Sequence, residues 1–146
     1  MSNNLILIVE DNPDHLELTV LTLEELGVKA EVVVARDGAQ ALDYLFGQGE
    51  HAGRDTSKKP SFILLDMKLP KLSGLDVLRS VRSNPVTALV PVVMLTSSGE
   101  RSDIQACYES GANSFVRKPV DFVDFTEKLD RLQGYWLGVN ESAAGL

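Results

Sequence analysis

Short apolar segments alternate along the chain with segments whose apolar residues recur at helical spacing. The first, Leu5–Val9, is an unbroken apolar run rich in β-branched residues, which suits a strand buried on both faces of a parallel sheet. It is followed by Asn12-Pro13, a helix-capping residue with proline at the first helical position. The same pattern predicts four more strands, at 31–35, 62–65, 91–95 and 114–117.

The segments between and after these strands carry the signals of helices. A second helix opens at Asp37-Gly38, a third ends before Asn84-Pro85, a fourth covers roughly 102–109, and Asp121 caps the last. The last helix has apolar residues at intervals of three and four, namely Phe122, Phe125, Leu129 and Leu132. Strands that alternate with helices pair in parallel through right-handed crossovers. The sequence therefore predicts a doubly wound α/β fold with helices on both faces of the sheet.

The length and charge of the chain limit its domain count and its partners. With 146 residues, 44% of them hydrophobic, we expect one domain over 1–138, no output domain, and a disordered tail over 139–146. A net charge of −7 argues against direct binding to nucleic acid or to an anionic membrane. The absence of a signal peptide, an apolar span and any disulfide partner for Cys107 predicts a cytoplasmic protein.

Polar residues follow four of the predicted strands. They are Glu10 and Asp11 after the first, Asp66 after the third, Thr96 after the fourth and Lys118 after the fifth. Ligands of open α/β sheets bind at the carboxyl ends of the strands. Taken singly, each of these residues is more often a cap, a turn residue or a solvated charge. Together on one edge, they favour a functional site.

Three clustered carboxylates repel one another unless a cation neutralises them, and all-oxygen ligands suit a hard divalent ion such as Mg²⁺. A cation there would let one carboxylate attack an electron-rich phosphorus, while the Lys118 ammonium and the Thr96 hydroxyl contact the phosphoryl oxygens. The set of residues is therefore suited to transferring or holding a phosphoryl group.

At this point the sequence resembles the receiver domains of two-component response regulators, over roughly residues 5–132. The resemblance is carried by Glu10-Asp11, Asp66, Pro70, Gly74, Thr96 and Lys118-Pro119. It implies a flavodoxin-like five-stranded sheet of order 2-1-3-4-5 and a phosphoacceptor at Asp66. It also implies a Mg²⁺ site formed by Asp11, Asp66 and the backbone carbonyl of Lys68, with Glu10 assisting through water.

The resemblance further implies how the phosphoryl group is sensed. Phosphorylation of Asp66 is expected to draw Thr96 inward, and Phe115, at the aromatic switch position of the family, is expected to turn into the vacated space. This would remodel the face built from helix four, strand five and helix five. A cis peptide before Pro119 is also expected. The alternative interpretation is that Phe115 is an ordinary aromatic residue of the strand, without a role in switching.

Other segments resemble the phytochrome-associated, stand-alone members of that family. They are Ala41 to Phe46, the insert at 47–60, Leu69 to Lys71, and Tyr135 to Leu137. This resemblance implies that the partner is a sensor histidine kinase of phytochrome type. It also implies a homodimer through the face of helix four, strand five and helix five. Tyr135 to Leu137 suits an interface, but also a tail folded onto its own core. The insert is interpreted as a flexible surface loop rather than a partner-recognition element.

Some residues depart from the family pattern or stand outside the site. Ser97 follows Thr96 where Ala or Gly is usual, and Met67 and Lys68 follow Asp66, so the lifetime of the phosphorylated state stays open. His15 and His51 are interpreted as surface residues, and Cys107 as a small core residue.

Three alternatives compete with this interpretation. A hydrolase of the haloacid dehalogenase type needs a second Asp two residues after its nucleophile, where this chain has Lys68. An FMN carrier needs a phosphate loop after the first strand, and Asp11 and Asp14 would repel the phosphate. The third alternative, an intermediate in a phosphorelay, cannot be separated from a terminal output by sequence.

Overall fold

A computed structural model describes residues 4–143 as a five-stranded parallel sheet of order β2-β1-β3-β4-β5. The strands are β1 Leu5–Val9, β2 Glu31–Ala35, β3 Phe62–Leu65, β4 Val92–Thr96 and β5 Ser114–Arg117. The order reverses between β1 and β3, which places a crevice at the carboxyl ends of these two strands. The predicted fold class and strand order are confirmed.

Five helices cover the two faces of this sheet. They are α1 Pro13–Glu25, α2 Gly38–Phe46, α3 Gly74–Ser83, α4 Arg101–Glu109 and α5 Phe122–Gly134. Successive side chains of a strand point to opposite faces, so Leu5, Leu7 and Val9 join one core with α2, α3 and α4, while Ile6 and Ile8 join another with α1 and α5. The unbroken apolar run of β1 is thus explained by burial on both faces.

The last helix buries less of its predicted apolar face than its spacing suggests. Phe125 and Leu129 are buried, but Phe122 is 51% exposed. Phe122 is the first residue of α5, next to the exposed Val120 and Val123. The first turn of α5 therefore lies largely in solvent, and the buried face of the helix begins at Phe125.

The insert at 47–60 contains a short 3₁₀ helix, Gly49–His51, and is held by one arginine. The Arg54 guanidinium lies 3.9 Å from the centre of the Tyr44 ring. It also donates hydrogen bonds to the carbonyl oxygens of Tyr44, Asp55 and Lys58, at 2.6, 3.1 and 3.0 Å. The insert therefore has defined contacts with α2 rather than lying free on the surface.

A five-residue π-helical turn, Tyr135–Val139, continues α5. Trp136 and Leu137 pack against the core that contains α1 and α5, while Tyr135 is 49% exposed. The segment is therefore mainly folded back, and one aromatic ring remains at the surface. Residues 140–143 have no regular structure and 144–146 lie outside the described residues, so the disordered tail stays a prediction. Within residues 4–143 no helix has the length and apolar character needed to cross a membrane.

Candidate phosphoryl-transfer site

Glu10 and Asp11 extend from the end of β1 into the crevice. The Glu10 backbone N–H donates to the carbonyl of Ala35 at 3.0 Å, which keeps the chain attached to β2 beyond the last strand residue. The Glu10 side chain is buried and accepts a hydrogen bond from the backbone of Asn12 at 3.2 Å. Asp11, one residue later, is exposed. One carboxylate therefore lies inside the crevice and the other at its mouth.

Asp66 follows β3 directly, and its backbone N–H donates to the carbonyl of Val9 at 3.0 Å. Its side chain is buried, and Oδ1 accepts a hydrogen bond from the backbone of Lys68 at 3.2 Å. Gly74 at the start of α3 lies directly against this turn, because a Cβ there would come within 2.2 Å of the Asp66 carbonyl oxygen. The close approach explains why glycine stands eight residues after Asp66.

Lys118 reaches into the crevice from the opposite side. Its backbone N–H donates to the carbonyl of Thr96 at 2.8 Å, which ties the end of β5 to the end of β4. Its Nζ donates to Glu10 Oε1 at 2.5 Å and to Asp66 Oδ2 at 3.1 Å. The ammonium group therefore bridges two carboxylates that follow different strands.

The structure contradicts the predicted cis peptide before Pro119, since no peptide bond within residues 4–143 is cis. The trans form of an X-Pro bond is favoured by about 0.5–1 kcal/mol. Lys118 reaches both carboxylates with the bond in trans, so contact with them does not need the cis form.

Burial and charge shift the protonation of this cluster. Burial, more than the neighbouring Asp66 carboxylate, raises the pKa of Glu10 to about 7, although the hydrogen bond from Lys118 opposes the shift. Burial alone would lower the pKa of Lys118, but the hydrogen bond to Glu10 and the charge of Asp66 outweigh it and raise the pKa above its ordinary value. Glu10 is therefore partly protonated near neutral pH, while Lys118 keeps its charge.

The three carboxylates are close enough to bind one cation. Glu10, Asp11 and Asp66 each offer an oxygen, and these oxygens all lie within 4.8 Å of one another. An all-oxygen set at such distances fits a hard divalent ion, which would offset the repulsion between these carboxylates. The residues thus fit the predicted metal site, with Asp11 at its open side.

The other predicted site residues lie around this cluster rather than in it. Thr96 ends β4 with its side chain buried, and its Oγ1 accepts a hydrogen bond from the backbone of Ser98 at 3.4 Å. The Lys68 side chain is exposed. Phe115 is half-buried against the core of α2, α3 and α4, and its backbone N–H donates to the Tyr108 hydroxyl at 3.2 Å. Phe115 is thereby joined to α4.

Two contacts near the site were missed by the sequence reasoning. Ser73 and Asp76 form a capping box at the start of α3, and the signal was present as Ser followed three residues later by an acid. Gly99, in the loop after β4, lies against the Arg117 guanidinium, because a Cβ there would be 2.5 Å from its Cζ. Nothing in the sequence marks that second contact, since it joins different elements.

The histidines and the cysteine lie apart from the carboxylates. Cys107 is fully buried in the core, as predicted. His15 and His51 are half-buried rather than fully at the surface, which differs from the prediction. His51 packs edge-on against Tyr44 with ring centres 5.1 Å apart, and His15 has a buried Nδ1 without a hydrogen-bond partner.

Comparison with known proteins identifies relatives along nearly the whole chain. Residues 6–130 match the family described as the response regulator receiver domain. The chain is 38% identical over 138 residues to the probable methanogenesis regulatory protein FilR2 of Methanothrix harundinacea, covering 94% of this chain and 86% of the relative. It is 34% identical over 132 residues to the response regulator Rcp1 of Synechocystis, covering 90% and 88%.

Solved structures of phytochrome response regulators have the same fold. The Mn²⁺-bound form of Rcp1 superposes with a TM-score of 0.87 at 32% identity, covering 97% of this chain and 99% of the other. The phosphorylated cyanobacterial phytochrome response regulator RcpA gives 0.89 at 32%, with the same coverage. The bacteriophytochrome response regulator RtBRR gives 0.77 at 46%, covering 97% and 85%.

Proposed function

Since this chain belongs to the response regulator receiver family, we propose that it is a phosphorylation switch whose acceptor is Asp66. The observation that carries the proposal is the bridging of Asp66 and Glu10 by Lys118 beside the exposed Asp11. A nucleophilic carboxylate, a cation for phosphoryl oxygens and an acidic metal cluster thus share one crevice.

The transfer uses side chains that lie in and beside this crevice. A carboxylate oxygen of Asp66 forms a bond to phosphorus while the bond from phosphorus to the donor breaks, and the electron pair of that bond leaves with the donor. When the donor is a phosphohistidine, the released imidazole nitrogen takes up a proton. The Lys118 ammonium, 3.1 Å from Asp66 Oδ2, is close enough to transfer its contact to a phosphoryl oxygen. The Thr96 hydroxyl, at the end of the next strand, would bind another.

Asp11 and Asp66 would hold Mg²⁺ together with the Lys68 carbonyl, and Glu10 would assist through water. When bound, the ion shields the negative phosphoryl oxygens from the attacking carboxylate. The Mn²⁺-bound form of Rcp1 supports this assignment. The chain is thus proposed to catalyse its own phosphorylation and dephosphorylation and no reaction of a separate metabolite.

The phosphoryl group would be sensed through Thr96 and Phe115. Thr96 is joined by its backbone to Lys118, and Phe115 by its backbone to Tyr108 on α4. A movement of Thr96 toward the phosphoryl group would open space beside β5 for the Phe115 ring. The face of α4, β5 and α5 would change as a result.

The phosphoryl donor is proposed to be a sensor histidine kinase of phytochrome type. Receiver domains interact with histidine kinases, and this chain is related to phytochrome response regulators, including RcpA and RtBRR. A phosphotransfer assay would test the pairing, with candidate kinases from the source organism compared under red and far-red light. Equal transfer in both lights, or from non-phytochrome kinases only, would contradict the phytochrome assignment.

A homodimer through the face of α4, β5 and α5 is also proposed. Tyr108 on α4 and Phe122 and Val123 on α5 are 49%, 51% and 59% exposed, and such exposed apolar groups suit an interface. Light scattering of the wild type and of Val123→Asp, with and without phosphodonor, would measure the mass in solution. A monomer under all conditions would contradict this dimer.

The acceptor is tested by intact mass after incubation with acetyl phosphate and Mg²⁺. The wild type is expected to gain one phosphoryl group, and Asp66→Asn none. EDTA should prevent the gain in the wild type. Asp124→Asn, which changes an exposed carboxylate on α5, is the matched control and should be phosphorylated normally. A gain in Asp66→Asn equal to that of the wild type would refute the assignment.

A further inference from the structure

A small cavity lies beneath the acidic crevice, on the side of the sheet that α1 and α5 cover. Its volume is about 10 Å³. Its apolar lining comes from three neighbouring strands, namely Ile8 and Val9 of β1, Leu64 of β3 and Leu95 of β4. Its polar lining consists of the buried side chains of Glu10, Thr19 and Asp66. A cavity of this size with polar groups in its wall suits one water molecule and nothing larger.

Thr19 is a polar residue on the buried face of α1, where Leu16 and Leu23 are apolar. It is only 4% exposed, and its Oγ1 donates a hydrogen bond to the carbonyl oxygen of His15 at 2.8 Å. This bond uses the hydrogen of the hydroxyl group, so the oxygen can still accept a hydrogen bond. Thr19 therefore gives the wall of the cavity an acceptor that an apolar residue at this position would not supply.

The two carboxylates at the top of the cavity can accept more hydrogen bonds than the protein donates to them. Glu10 accepts one from Lys118 and one, at 3.2 Å, from the backbone of Asn12. Asp66 accepts one from Lys118 at 3.1 Å and one from the backbone of Lys68 at 3.2 Å. An ionised carboxylate offers about four acceptor positions. A donor in the cavity would therefore find an acceptor on the carboxylate side as well as on α1.

We propose that this cavity binds one water molecule and that Thr19 holds it there. The water donates one hydrogen bond to Thr19 Oγ1 and the other to the Glu10 carboxylate, which Lys118 and Asn12 already hold from the crevice. Thr19 is thus a positioning residue that acts through the water on a carboxylate of the proposed metal site. This effect on the metal rests on the proposed function, whereas the water itself needs neither Mg²⁺ nor a phosphoryl group.

High-resolution crystal structures of the wild type and of two Thr19 variants test the water directly. We expect electron density for one water molecule in the cavity of the wild type and of Thr19→Ser, which keeps the hydroxyl group. Thr19→Val has nearly the same shape without the hydroxyl group, so its cavity should lose this density. A wild-type cavity without the density, or density that persists in Thr19→Val, would overturn the proposal.

Titration calorimetry with Mg²⁺ measures the effect of Thr19 on the metal site. Thr22→Val is the matched control, because Thr22 is also buried on α1 and donates to the carbonyl of Leu18 at 2.7 Å, but does not line the cavity. We expect Thr19→Val to raise the dissociation constant of Mg²⁺ by about tenfold, the low end of the effect of outer-shell partners of a metal. Thr19→Ser and Thr22→Val should bind Mg²⁺ as the wild type does.

The two valine variants lose equivalent hydrogen bonds within α1, so that loss cannot explain a difference between them. Equal dissociation constants for Thr19→Val and Thr22→Val, with both proteins folded in urea unfolding, would overturn the positioning role of Thr19. Failure of the wild type to bind Mg²⁺ would refute the proposed metal site, and with it the effect of Thr19 on the metal. The crystal structures would decide the water in either case.

Discussion

Replacing glycine by alanine at two positions should change stability in opposite directions. In Gly74→Ala the new Cβ would lie 2.2 Å from the Asp66 carbonyl oxygen and 2.7 Å from the Met67 Cα. Both neighbours are backbone atoms and cannot rotate away, so the start of α3 must move by about 1 Å, at a cost of about 2–3 kcal/mol. In Gly134→Ala the Cβ meets no atom within 4 Å, and the helical backbone favours alanine by about 0.5–1 kcal/mol.

Urea unfolding measures both changes, and phosphorylation by acetyl phosphate measures their effect on the site. Gly74→Ala moves the turn that carries Asp66, and a displacement of about 1 Å at a reacting group can cost about a hundredfold in rate. We therefore expect slower phosphorylation in Gly74→Ala and an unchanged rate in Gly134→Ala. If Gly74→Ala unfolds at the wild-type urea concentration and is phosphorylated at the wild-type rate, the close packing of α3 against Asp66 is not what positions the acceptor.

Three further predictions concern the Arg82 side chain of α3, the metal site and the Cys107 thiol. Arg82 donates four hydrogen bonds, to the carbonyls of Gly111, Ala88 and Val90 and to the Asn113 side chain. Arg82→Met should therefore cost about 3 kcal/mol in urea unfolding, whereas Arg79→Met, on an exposed side chain, should cost under about 0.5 kcal/mol. Mg²⁺ at about a hundred times its dissociation constant should stabilise the wild type by about 2.7 kcal/mol, and Asp11→Asn should abolish most of this shift in thermal unfolding. Burial raises the pKa of the Cys107 thiol, so iodoacetamide at pH 8 should modify this residue only at the rate at which the protein unfolds. The modification is followed by intact mass. Fast modification of the native protein would contradict the burial of Cys107.

The sequence predicted the fold well where a local pattern coincides with burial. The run Leu5–Val9 identified a central strand, because a strand covered on both faces is apolar at every position. Predictions were weaker where a helix extends beyond the sheet on which it packs. The apolar spacing of α5 begins at Phe122, yet this residue is half-exposed. Periodicity does not indicate where the surface of the sheet that covers the helix ends.

The residues of the candidate site were predictable because parallel strands end at one edge. Glu10, Asp11, Asp66 and Lys118 could be read as the residues after three strands, and the fold brings them together. What the sequence could not supply was the contact geometry. The pairing of Lys118 with Glu10 depends on the distance between elements far apart in the chain.

The end of β5 joins the crevice to the loop after β4 through two consecutive residues. Lys118 directs its ammonium group to Glu10 and Asp66, while Arg117 lies against Gly99 in that loop. Lys118 is also tied by its backbone to Thr96, at the start of that same loop. A movement of Lys118 or Thr96 toward a phosphoryl group would therefore also shift the contact between Gly99 and the Arg117 guanidinium. The position of the Arg117 side chain would thus respond to the state of Asp66.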